Sequence, residues 1–132
     1  MADKSPKVVK AVDVTARTGT AYLSEYAVQL KGREKRFLGD LFGLTQFGVN
    51  LLTLAPGSWA SHRHWHEAED ELIYVLEGEV TLIDDQSGKP VVCLEVGTRA
   101  RDEVIHYAEA DMRATKSNGG PIKFTRRDGS PG

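Results

Sequence analysis

From Gln46 onward the apolar positions fall into strict alternation: Phe47, Val49, Leu51 and Thr53 take turns with Gly48, Asn50, Leu52 and Leu54. A period of two places successive side chains on opposite faces, so this stretch predicts a half-buried β-strand, and Ala55-Pro-Gly-Ser closes it as a turn. Four short β-rich runs follow, Trp59 to His66, Glu71 to Leu76, Glu79 to Ile83 and Pro90 to Val96, each bounded by Gly, Pro or acidic turn residues. Val8 to Val14 also alternates and predicts an added edge strand. Phe37 to Leu44, with Gly39 and Gly43 inside it, predicts a strand entering a turn or a pair of short extended pieces, and Glu25 to Lys35 is ambiguous. No helical period is sustained, although Arg101 to Arg113 has room for one helical turn near Asp111. The plan is all-β.

Length and charge narrow the classes. A chain of 132 residues supports one domain, 1–132, with a frayed start at 1–7 and a loop-like tail at 117–132. The formal net charge of −2 is spread along the sequence, which leaves no basic face for nucleic acid or anionic lipid. Met1-ADKSPKVVK has no apolar run of signal-peptide length, and no segment approaches a membrane span. The single Cys93 has no intramolecular disulfide partner, and with these features the expected compartment is the cytoplasm.

The candidate chemistry lies between Gly57 and Gly78, which reads GSWASHRHWHEAEDELIYVLEG. On a strand His64 and His66 point the same way and Trp65 the other, so two imidazoles share one face. Glu71 opens the next apolar run after a four-residue turn, and an antiparallel return would lay its carboxylate beside the rings. Two histidines and one carboxylate form a facial set suited to Fe(II), Mn or Zn, with positions left open for substrate or water.

Gly57, His64, His66, Glu71 and Gly78 occupy every fixed position of the first motif of the cupin superfamily, which this segment resembles. Such a match arises by chance at roughly the 10⁻⁵ level in a chain of this length. The wording Gly43-LTQFGVNLLTLAPG, Glu77-GEVTLI, Leu94-EVGTRARDEV and Phe124-TRRDG resembles small bacterial single-domain cupins from about Phe37 onward. The resemblance implies a double-stranded β-helix, a jelly-roll-like barrel holding a divalent ion (Fe, Mn, Zn or Ni) on His64, His66 and Glu71.

The second cupin motif, Gly-x5-Pro-x-Gly-x2-His-x3-Asn, is absent. Started at Gly97, it would place its proline at Glu103, its second glycine at Ile105 and its histidine at Ala108. Asp84-DQSGKP instead joins the Gly78 hairpin directly to the Val91 strand. The chain therefore resembles an internally shortened cupin. Exposed edges and interior would then be covered by a second copy, giving a homodimer or higher oligomer, with the N-terminal and Val91 strands as candidates for exchange.

His62 is a further candidate ligand, two residues before His64. Its Cα would stand about 13 Å from that of His66 on a straight strand, so it could join only if the strand bends. Otherwise it is a rim or interface residue. His106 reads as a solvated loop histidine, and Glu67, Glu69 and Asp70 as a solvent-facing turn with one spare carboxylate at most. Trp59, Trp65, Tyr74 and Phe47 read as core or interface aromatics, and Cys93 as a buried, inert thiol. Two functions remain open: a metal-dependent cupin acting on a small polar metabolite or sugar derivative, or a non-catalytic oligomeric binding module with a vestigial site.

Overall fold

The computed structural model describes residues 8–80 and 91–132. The expected strand at Glu79 to Ile83 and the Asp84 connection fall largely outside the described residues. Among the described residues nine strands form two antiparallel sheets, as the alternating pattern predicts. The first has the order β1 (Arg17–Thr18), β2 (Arg33–Phe37), β3 (Phe47–Leu54), β6 (Val91–Thr98), β5 (Glu71–Glu77). The second has the order β4 (His64–His66), β7 (Glu103–Tyr107), β8 (Arg113–Lys116), β9 (Lys123–Thr125). Among the described residues no helix is long and apolar enough to cross a membrane.

The register decides what faces the interior, because residues directly opposite on neighbouring strands share a face. In the first sheet Lys35 lies opposite Leu52, Leu52 opposite Cys93 and Cys93 opposite Val75. That face also carries Arg33, Glu95 and Glu71, each an even number of residues along its strand from one of these. In the second sheet His64 lies opposite Tyr107, and His66 opposite Ile105. Among the described residues two apolar clusters form the core, one on each sheet. One consists of Leu52, Leu54 and Cys93; the other of Ile105, Tyr107, Ala110, Met112 and Ala114, with Tyr22, Leu23, Tyr26 and Phe124 packed on it.

Three local expectations are corrected. Val8 to Val14 is not a strand: Ala11–Asp13 forms a 3₁₀ turn, Val8 and Val12 stand exposed, and the edge strand is the shorter β1. Phe37 to Leu44 holds one helical turn, α1 (Leu38–Leu41), laid against β3 so closely that a Cβ on Gly39 would come within 3.0 Å of the Val49 nitrogen. No helical turn forms near Asp111, where bends join β7 to β8.

Candidate functional site

Gly57 takes φ +76° in the turn after β3, a conformation open to glycine, and the chain then crosses to the second sheet. Within β4 the two-residue period holds. His64 and His66 face the interior with side chains 16% and 17% exposed, while Trp65 points outward. The expected hairpin return is not what brings Glu71 to them. β4 pairs with β7 and β5 with β6, so the turn at 67–70 carries the chain from one sheet to the other. Glu71 meets the imidazoles across the interior.

The three donors converge. Glu71 Oε2 lies 3.6 Å from His64 Nε2 and 3.5 Å from His66 Nε2. Two donors bound tetrahedrally at about 2.1 Å from one cation would stand roughly 3.4 Å apart, so these separations suit a single ion. His64 Nδ1 is 2.7 Å from the His62 carbonyl and donates to it, which leaves Nε2 with its lone pair toward Glu71. Both ring nitrogens of His66 are buried without a hydrogen-bond partner. Such orphaned nitrogens are costly unless a ligand takes them up, and a divalent cation fits this set. Burial pulls the His64 pKa down, but the adjacent Glu71 carboxylate and His62 carbonyl outweigh it and the net shift is upward. His64 in turn holds the Glu71 carboxyl below its ordinary range, against the opposing effect of burial.

A carboxylate missed in the sequence supports the set from behind. The Glu103 side chain, 1% exposed, places Oε2 3.5 Å from His66 Nδ1. Its two oxygens accept the backbone N–H groups of Glu67, Ala68, Glu69 and Val104 at 2.7–3.0 Å. Burial would raise its pKa, yet these four donors hold it lowered. Glu69, expected in solvent, turns inward to accept the Ala100 N–H and pair with Lys116. His66, Glu69 and Glu103 lie close enough together to suggest a second cation site, but both carboxylates are already committed to these donors.

Around the donor set lies a cavity of about 250 Å³, a little below the usual size of a small-molecule site. Arg33, Lys35 and Glu95 form its first-sheet wall, and Tyr22, Tyr107 and Phe124 its opposite side. Lys35 Nζ lies 2.7 Å from Glu95 Oε2. Burial raises the pKa of Tyr22, and burial with the Tyr22 hydroxyl nearby raises that of Tyr107, so both remain neutral hydrogen-bond groups at neutral pH. One signal for these walls was legible: Glu95 interrupts the apolar run Val91-VCLEV at an inward position.

His62 does not join the donor group. It precedes β4, where the strand period is not yet established, and its buried ring packs among Tyr22, Tyr26 and Trp59 with Nε2 2.8 Å from the Tyr26 carbonyl. His106 lies on β7 rather than in a loop, stacked on Trp65 with ring centroids 4.3 Å apart and Nε2 2.7 Å from Glu67 Oε1. Trp65, Tyr74 and Phe47 are exposed and none is core. Cys93 is buried as expected, its thiol pushed up to about 11 by burial and the nearby Glu95 charge.

Two facing antiparallel sheets with a His-x-His pair and a carboxylate between them define a jelly-roll protein with a metal-type interior. A model of the cupin domain matches residues 50–99. A sugar phosphate isomerase of the cupin superfamily from Silicibacter pomeroyi is 32% identical, with TM-score 0.82 over 96% of each chain. The chain belongs to the cupin superfamily. Relative to that neighbour it is not shortened, since the match spans nearly all of both. A structure from Acidithiobacillus ferrooxidans, provisionally assigned as a sugar phosphate isomerase, is 21% identical with TM-score 0.65, covers 83% of this chain and 84% of its own, and shares the fold. No curated protein sequence matches the chain.

Proposed function

We propose that this cupin holds a divalent cation on His64, His66 and Glu71 and acts on a phosphorylated sugar as an isomerase. The observation that carries the reading is the convergence of two imidazole Nε2 atoms on one carboxylate oxygen, at 3.5 and 3.6 Å, with both His66 nitrogens orphaned among the described residues beside a cavity of about 250 Å³. The substrate class is suggested by the Silicibacter neighbour, whose match extends over 96% of both chains.

A bound cation would supply Lewis acidity, polarising a sugar carbonyl or hydroxyl. The chain's own groups would do the rest. Isomerisation moves one hydrogen between neighbouring carbons and one between their oxygens, with no net oxidation. The Glu95 carboxylate, on the cavity wall, is placed to take a proton from one carbon and return it to the next. Lys35 pairs with it and steadies its position. Neutral Tyr22 and Tyr107 present hydroxyls to the sugar oxygens, and Phe124 limits the water that enters.

The test is metal analysis of the purified protein beside a His64→Ala, His66→Ala double variant, followed by NMR of sugar phosphates in D₂O. Stoichiometric metal in the native protein alone, with chelator-sensitive interconversion and deuterium uptake, is the expected outcome. Equal trace metal in both proteins would remove the metal reading. Metal binding without turnover on any sugar phosphate would leave the binding-module reading in its place.

The chain is further proposed to work as a homodimer. The outward face of the first sheet is apolar across three strands, through Val49 and Leu51, Leu94 and Val96, and Leu72 and Tyr74. The last two side chains stand 60% and 61% exposed. A second copy laid on this face would cover them. β6 lies between β3 and β5 of its own chain, which favours packing of faces over exchange of that strand.

A further inference from the structure

Of the cations lining the cavity, Lys35 is neutralised by Glu95, but Arg33 is not. Among the described residues no carboxylate oxygen lies within 4.0 Å of the Arg33 guanidinium. Its contacts are carbonyls: Nη1 donates to Ala60 O at 2.8 Å and Nη2 to Gly19 O at 3.2 Å. These bonds fix the plane of the guanidinium and leave its charge uncompensated, with further N–H groups to offer.

The two carbonyls also fix its neighbours. Gly19 is followed by Thr20 and Ala60 by Ser61, and both hydroxyl residues line the same cavity as Arg33. Thr20 Oγ1 accepts the Tyr22 N–H at 3.2 Å, so its own hydrogen is available to donate. One planar cation thus bridges two chain segments that each bring a hydroxyl residue to the cavity. The donor set is in reach as well. Arg33, Tyr22 and Tyr107 line the same cavity as His64, His66 and Glu71.

We infer that Arg33, with Thr20 and Ser61, forms an oxyanion recess that seats the phosphate of the substrate and sets the distance from it to the carbons that react. The recess rests on the proposed sugar phosphate reading for its substrate, but not for its anion chemistry. A guanidinium that shares its cavity with two hydroxyl residues offers the donors that a tetrahedral oxyanion accepts. The Lys35–Glu95 pair cannot take this role, because its cation is already spent on its own carboxylate at 2.7 Å.

The experiment is a titration of chelator-treated full-length protein with inorganic phosphate, followed by ³¹P line width and calorimetry. The native protein, Arg33→Met, Arg33→Lys and Ser61→Ala are compared. Chelation removes any contribution of metal to phosphate binding. The expected result is saturable binding that falls about 10- to 100-fold in Arg33→Met, less in Arg33→Lys, and a few-fold in Ser61→Ala. Metal affinity measured separately should stay unchanged in Ser61→Ala and Arg33→Lys. Absent binding in the native protein, or equal binding across all variants, overturns the recess. If Arg33→Met fails to fold, Arg33→Lys and Ser61→Ala decide: both binding like the native protein counts against the recess. Arg33-dependent phosphate binding in a protein that takes up no metal would support the recess while removing the metal-dependent isomerase. Metal-dependent isomerisation with phosphate affinity indifferent to Arg33 would do the reverse.

Discussion

Glu103 shows how one side chain can serve folding and site at once. Its carboxylate gathers four backbone N–H groups and faces His66 Nδ1, so it ties the 67–69 turn to the orientation of a candidate ligand. Glu103→Gln puts an amide N–H where a backbone N–H now donates. It should cost about 1–3 kcal/mol by thermal unfolding and, by loosening His66, weaken metal affinity about 10- to 100-fold. The pH dependence has a definite sign. The folded-state pKa of Glu103 lies below its unfolded value of about 4.3, so its contribution is present above that value and is lost as pH falls through the folded one. The gap in melting temperature between native protein and variant should therefore be widest near neutrality and close in acid; a gap constant with pH would contradict the role. His64, His66 and Glu71 were legible because their spacing is local. Glu103 was not, because three of its four backbone donors lie 34 to 36 residues away and backbone amides carry no sequence signature.

At the scale of elements, alternation told truth where both neighbours of a strand are present. β3, flanked by β2 and β6, matches its predicted span, whereas Val8 to Val14 has the same pattern but no strand to pair with. Glu71 does lie beside the two histidines, but sheet crossing at 67–70 and not hairpin pairing brings it there. His62 marks where the strand period begins. Because its ring sits in an aromatic cage and bonds Tyr26 O, His62→Ala should destabilise the fold by about 2–4 kcal/mol while leaving metal stoichiometry intact. Loss of metal with no loss of stability would return it to the ligand set.

For the whole molecule the issue is surface. Leu72, Tyr74 and Leu76 of β5 stand between 48% and 61% exposed. If the outward face is the dimer contact, Leu72→Glu with Tyr74→Glu should shift sedimentation to a monomer while preserving the circular dichroism of the sheets. A native protein that sediments as a monomer at micromolar concentration would end the dimer reading. The sequence led to the expectation of a partner on the ground of a deleted segment, and that ground has moved. The chain matches its Silicibacter neighbour over 96% of both, so the exposed apolar face now motivates the dimer in place of a deleted segment.

The stack of Trp65 on His106 has an optical consequence. The indole sits on the strand that carries His64 and His66, on the reverse side, with an imidazole 4.3 Å from its ring centre and tilted by 16°. Any ligand that tightens β4 from within shifts the indole against its quencher. In a Trp59→Phe background, emission should therefore change saturably as a divalent cation is added, and stay flat in the His64→Ala, His66→Ala variant. The protein carries its own fluorophore on the back of the strand whose front presents the candidate donors.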